Sequence, residues 1–295
     1  MIGKSIYNRR LRPEEHELWT VLPRNVAGVD DGSYLRDLSA HPGAILYLST
    51  LEEQVVGGTA LFRDEAAKRV GILAIRLRPD SADKVARHIL KSSLPYFPSQ
   101  HIRSVDVVVS ERPDMVDFPP GLSVPSWLKD SLLGLDFSVC SQLYRHRFST
   151  RSLDPSEVSS YDVVRVTPSA QDARLLLLQE RTRLGLDFTQ SLAALELGCL
   201  RNQLSAVSKG GQLSGLCCTD QVGDTTMCTL AVVRSDPEAI ELLARLLTGQ
   251  SLASRSTAIE LLQCGSGQDS LIDSLSQKCG RPVETTRLLL MKKTL

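Results

Sequence analysis

The feature that most constrains this chain is that its second half repeats the pattern of its first at an offset of about 155 residues. Pro13 after an extended stretch is matched by Pro168, and Gly58 in a hairpin by Gly215. Leu73-Ala74-Ile75 is matched by Leu230-Ala231-Val232, and Val105-Asp106-Val107-Val108 by Ile259-Glu260-Leu261-Leu262. The amphipathic stretch from Ala82 to Leu94 is matched by that from Glu238 to Leu247. A repeat of this length is a whole domain. The 295 residues therefore divide into two domains, 1–148 and 162–295, joined by a serine-rich linker at 149–161.

Within the first half, Ser5 to Leu11 reads as a strand, and Arg12-Pro13-Glu14-Glu15 as a helix entry. A second short helix is expected from Gly32 to Ala40. Ala44 to Leu48 and Val55 to Phe62 read as a hairpin over Leu51-Glu52-Glu53-Gln54. Arg69 to Leu77 is a nearly continuous apolar run of strand length, and it leads through Arg78-Pro79-Asp80-Ser81 into the amphipathic helix. A strand at Ile102 to Val109, a helix at Ser126 to Leu133 and a strand at Ser138 to Phe148 close the half. In the second half, Val163 to Val166 and a helix through Leu175 to Leu178 precede a hairpin over Lys209-Gly210-Gly211. Thr226 to Val233 and Thr285 to Lys292 are strands. The fold class is α+β, with a mixed, mostly antiparallel sheet flanked by helices in each domain.

Thirty-four basic side chains balance thirty-four acidic ones, so the electrostatic footprint of a nucleic-acid or anionic-membrane partner is missing. Met1 to Glu17 mixes both charges without an apolar core, and no apolar run has membrane-spanning length. A cytoplasmic protein is expected. The seven cysteines include the adjacent pair Cys217 and Cys218 and form no C-x-x-C, which favours core thiols over disulfides. All five histidines lie in the first half, so no metal site is expected; Cys217, Cys218 and Cys228 have poor zinc spacing. Cys264-Gly265-Ser266-Gly267 reads as a flexible turn.

Three segments carry a family resemblance: Arg10-Leu11-Arg12-Pro13-Glu14-Glu15-His16, the buried strand and amphipathic helix at Val70 to Leu94, and Trp127 to Phe137 leading into the closing strand. Together with the element order they resemble the GNAT acyl-CoA N-acyltransferases, twice over. The resemblance implies an acetyl-CoA or other acyl-CoA co-substrate and a small-molecule or peptide amine as acceptor. It also implies that the central strand splays from its neighbour and offers its backbone to the pantetheine arm. The positions carried over are Leu73, Ile75 and Leu77 in the first domain, and Leu230, Val232 and Arg234 in the second.

The family's glycine-bearing pyrophosphate turn is absent from both halves. Asp80 or Ser81, and Ser235 or Asp236 with Pro237, have the chemistry of helix N-caps. Arg76, Arg78, Lys84 and Arg87 supply side-chain charge to a diphosphate in one reading and form a solvated face in the other; Ser81 is the remaining polar candidate. The family's general-acid tyrosine falls near Leu132 and Ser276, neither of which transfers a proton. Asp106, with Glu111 at the strand's end, matches the carboxylate that deprotonates the amine, and Glu260 is its counterpart. Three functions follow from these residues: an N-acetyltransferase, a non-catalytic structural or protein-interaction module, and a module that binds a small amine or acyl metabolite without turnover.

Overall fold

The computed structural model describes residues 6–15, 17–18, 37, 39–77, 83–94, 97, 101–111, 128–153 and 166–295. The expected helices over 16–22 and 32–40, the linker and the strand over 163–165 lie wholly or mostly outside them. The chain forms two compact units: unit 1 is Met1–Ser141 with Leu288–Leu295, and unit 2 is Gln142–Arg287.

Unit 1 orders its strands β1 (Ile6–Arg10), β2 (Ala44–Leu51), β3 (Gln54–Asp64), β4 (Arg69–Leu77), β5 (Ser104–Ser110) and β11 (Glu284–Thr294). Among its described strands, only the β4–β5 pair is parallel. Helix α1 (Asp83–Ser93) is the crossover between those two strands, and α2 (Leu128–Leu133) follows β5. Ile89 and Leu90 of α1 and Leu128 and Leu132 of α2 are buried against Ile75, Leu77, Val105, Val107 and Val109. Arg87, His88 and Lys91 stay on the outer face of α1, the two-sided pattern of a helix laid on a sheet. Asn8 of β1 ties the end of α1 to the sheet. Its amide donates to the Ser92 and Ser93 hydroxyls at 2.8 and 2.7 Å, and its oxygen accepts from Ser49 at 2.6 Å.

Unit 2 repeats the plan. Val166 bridges Ala206 where β1 stood, followed by β7 (Leu204–Lys209), β8 (Gln212–Val222), β9 (Thr225–Val233), β10 (Ala258–Cys264) and β6 (Ser138–Ser149). The crossover is α5 (Pro237–Ala253), and α6 (Asp269–Cys279) follows β10. Helices α3 (Ala170–Leu184) and α4 (Phe188–Leu200) precede the sheet. Ser169 caps α3 by accepting from the Asp172 N–H at 3.1 Å, and Gly185 ends it in the left-handed conformation at φ 70°. Asp187 caps α4 by accepting from the Gln190 N–H.

The two closing strands are exchanged relative to chain order. β11, which follows the second repeat, pairs antiparallel with β5, Leu288 opposite Ser110 through Thr294 opposite Ser104. β6, which follows the first repeat, pairs with β10, Ser149 opposite Ala258. Leu289 and Met291 are buried in the core of unit 1, and Phe148 in that of unit 2. The sequence expectation of 1–148 and 162–295 keeps each closing strand with the half it follows. The compact units instead assign 288–295 to the first sheet and 142–149 to the second. The offset between the repeats is the same under either arrangement, so repeat spacing does not distinguish them.

Candidate functional site

In unit 1, β4 and β5 pair only from Arg69 opposite Ser104 to Ile72 opposite Val107. Beyond that point β4 runs on to Leu77 with β3, and β5 runs on to Ser110 with β11, so the two strands part into a V. A bulge lies at the parting: Ala60 pairs with Ala74 and Leu61 with Ile72, leaving Leu73 without a partner. Bulges of this kind re-aim backbone groups. Unit 2 repeats the arrangement, with β9 and β10 paired from Thr225 opposite Ala258 to Cys228 opposite Leu261 and with Thr229 skipped.

Strand alternation assigns the open edge. The Arg234 N–H donates to the Ser214 carbonyl at 2.9 Å, so Arg234, Val232 and Leu230 turn their backbone groups toward β8. Those of Ala231 and Val233 then face the gap. Gly58 opposite Arg76 in unit 1 corresponds to Gly215 opposite Val233 in unit 2. The same register gives the gap to Ala74 and Arg76, with Ile75 and Leu77 toward β3. The carried-over positions Leu73, Ile75 and Leu77 lie on this strand, at the residues that alternate with Ala74 and Arg76. The side chains of Leu73, Ile75 and Leu77 are buried, the last two in the core of unit 1.

The two candidate acids of unit 1 occupy different levels of the V. Asp106 is 2% exposed, lies opposite Gly71 in the paired part of β5, and has Lys292 of β11 directly across from it. It sits below the parting, on the face opposite Val105 and Val107 as alternation predicts, and is buried there. Glu111 stands at the end of β5, partly exposed, with the Lys129 ammonium of α2 at 3.9 Å. Arg78 and Ser81 lie outside the described residues, as does the Lys84 side chain; the Lys84 backbone belongs to the first turn of α1. Leu132 is fully buried, and the Ser276 hydroxyl is spent on the Ile272 carbonyl of its own helix.

Unit 2 is built differently at the matching places. Glu260 is 4% exposed and held by two arginines of β6: Arg145 Nε donates to its Oε1 at 2.5 Å, and an Arg147 nitrogen lies 3.7 Å from Oε2. A carboxylate so committed is a structural anchor. Asp236 caps α5, accepting from the Glu238 N–H with Pro237 in the first turn. The Lys209 ammonium lies 2.8 Å from both Asp236 and Glu238 and holds the Asp236 carboxyl below its ordinary pKa. The turn that would meet a diphosphate is therefore closed by carboxylates. Burial raises the thiol pKa of Cys228 to about 12, and that of Cys264 further still, so neither is a nucleophile at neutral pH.

Sequence reasoning missed Arg183 and Gln268. Both donate to the open edge of β9: Gln268 Nε2 to the Ala231 carbonyl at 2.9 Å, and Arg183 to the Val233 carbonyl. The only available signal was Gly265-Ser266-Gly267 before Gln268. That segment is no loose turn, since an added Cβ would stand 2.1 Å from the Leu184 carbonyl oxygen at Gly265 and 2.0 Å from that of Arg183 at Gly267.

Comparison with solved structures decides what the paired V-shaped units are. A tandem GNAT protein from the clavulanic acid biosynthesis pathway superposes with a TM-score of 0.62 at 12% identity, over 98% of both chains. This is the tandem GNAT fold. A second GNAT neighbour, a GCN5-related N-acetyltransferase from Sphaerobacter thermophilus, gives a TM-score of 0.58 at 10% identity over 98% of this chain and 95% of that one. A putative acetyltransferase from Pyrococcus horikoshii gives 0.64 at 12% identity, over 100% of this chain and 91% of that one. No family model and no curated protein matches in sequence. At these identities the likeness is one of fold. Among the described residues of this chain, no helix is long and apolar enough to cross a membrane.

Proposed function

We propose that this chain is an acyl-CoA-dependent N-acyltransferase whose working site is the V of unit 1. The observation that carries the reading is the bulged edge of β4 beyond Ile72, where the strand leaves β5 and, among the described residues, no strand pairs with its outward backbone groups. Among the described residues, no side chain donates to the Ala74 carbonyl. An extended ligand with amide groups, such as the pantetheine arm, completes such an edge by strand-like hydrogen bonding. The ligand supplies a thioester. The chain's own part is to hold it along Ala74 and Arg76 and to take a proton from the acceptor amine.

Glu111 is the better placed of the two carboxylates for that proton, directly or through one water, because it stands at the mouth of the V whereas Asp106 is buried below it. The acceptor is a small-molecule or peptide amine. By sequence, Arg78 and Lys84 are the basic residues offered to the diphosphate, since the glycine turn is missing.

Isothermal titration of acetyl-CoA at low salt tests the reading. The expected result is one equivalent with micromolar affinity. At a hundredfold excess over Kd, the bound ligand raises stability by about 2.7 kcal/mol. No heat and no shift of Tm would overturn it. The closed α5 turn and the committed Glu260 of unit 2 favour a second reading, in which the duplicated fold serves a protein partner without turnover. That reading takes over if acetyl-CoA leaves the protein unchanged.

A further inference from the structure

We propose that the open edge of β9 is sealed from within by Gln268 and Arg183, so that unit 2 takes no acyl-CoA and the chain binds a single equivalent. The Gln268 amide is 1% exposed. Its Nε2 donates to the Ala231 carbonyl, and its Oε1 accepts from the Gly265 N–H at 2.9 Å. A carboxamide that donates a hydrogen bond to the strand and accepts one from its own loop does the work a ligand amide would do in the gap. Arg183 reaches the next outward carbonyl, that of Val233, from the last turn of α3.

The seal is held rigidly. The Gly267 N–H donates to the Leu184 carbonyl at 3.2 Å, and Gly265 and Gly267 lie so close to α3 that neither tolerates a Cβ. Two outward carbonyls of β9 and the Leu184 carbonyl at the end of α3 are engaged together, so these acceptors are already taken within the chain.

The single-equivalent part of the inference rests on the acyl-CoA reading of unit 1, whereas the seal stands without it. Hydrogen–deuterium exchange of the full chain separates the two. Peptides covering 225–233 are expected to exchange slowly without ligand and to be unaffected by 1 mM acetyl-CoA (roughly a hundredfold excess over a ten-micromolar Kd). Gln268→Ala should speed exchange there by roughly tenfold, the factor expected for losing about one buried hydrogen bond. Peptides covering 69–77 should stay unchanged by the substitution. If Gln268→Ala fails to fold, Arg183→Ala, whose side chain is more exposed, serves as the second variant with the same expected direction.

Slowing of 225–233 by acetyl-CoA in the unsubstituted protein would overturn the seal, as would unchanged exchange in both variants. Unaltered exchange of 69–77 with acetyl-CoA, beside the expected response of 225–233 to the substitutions, would uphold the seal and reject the acyl-CoA reading of unit 1.

Discussion

Asp106 and Glu111 show how much a residue's role depends on a displacement of five positions along one strand. Asp106 lies where β4 and β5 still pair, and Glu111 lies past their parting. Replacing Glu111 with Gln removes the proton acceptor while leaving the strand intact. The expected result is a fall in kcat of about 10²-fold or more with little change in Tm, read from a coupled thiol-release assay with a reactive amine. Elsewhere Glu241 of α5 accepts from Ser274 at 2.9 Å and Arg245 at 3.0 Å and lies 2.9 Å from the Lys278 ammonium. Burial works to raise its pKa, but the bonds to Lys278, Ser274 and Arg245 outweigh it and leave the pKa below the ordinary 4.5. Its folded-state pKa is depressed, so its contribution is present above pH 4.5 and is lost as the pH falls through the lower, folded value. Glu241→Gln should lower stability at neutral pH by about 1 kcal/mol or less, the side chain being more than a third exposed. The deficit should vanish in urea melts carried into the acid range.

At the scale of elements, the β2–β3 and β7–β8 hairpins solve one problem with unequal chemistry. The β7–β8 turn uses Gly210 and Gly211 at φ 57° and 78°, whereas the β2–β3 turn forces Glu52 and Glu53 to φ 50° and 68°. Both are two-residue turns of left-handed backbone, for which Asn-Gly is the favoured sequence. Replacing Glu52-Glu53 with Asn-Gly should stabilise the protein by about 1–2 kcal/mol, measured as a shift in the urea midpoint at constant m.

The strands and crossover helices were legible in the sequence because their periodicities differ: Arg69 to Leu77 is continuous, and the α1 stretch has one apolar face. Helix α4 was not. Thr189, Ala193, Ala194, Leu195, Leu197 and Gly198 are buried around much of its circumference, so no amphipathic rhythm marks it. Gly198 passes so near Cys218 that a Cβ would meet its Sγ at 2.5 Å, a contact only three-dimensional packing reveals. The acids were legible as types. Their accessibility was not, because burial of Asp106 and the Arg145 pairing of Glu260 come from strands distant in sequence. Gln268 escaped because Gly265-Ser266-Gly267, the signal before it, reads from sequence as a flexible turn.

For the molecule as a whole, the exchanged closing strands make each compact unit depend on residues from the other half of the chain. Residues 1–149 alone lack β11, which leaves the edge of β5 unpaired and Leu289 and Met291 missing from the core. Such a fragment is expected to aggregate or to self-associate through that edge. Joining 1–137 directly to 284–295 should restore a monomeric, cooperatively melting unit 1, measurable by sedimentation and circular dichroism. The exchange also escaped the sequence, since β6 and β11 occupy equivalent places in the repeat and either one satisfies the pattern of either sheet.

That exchange has a consequence in time. On the ribosome, β5 is finished while its eventual neighbour β11 still lies about 180 residues ahead. At ordinary elongation speeds the first-made sheet thus waits on the order of ten to forty seconds with an unpaired edge. During that interval β6 is the only closing strand in existence, and it matches the repeat pattern of the vacant place. Until β11 is made, β6 is thus the competing strand for the edge of β5.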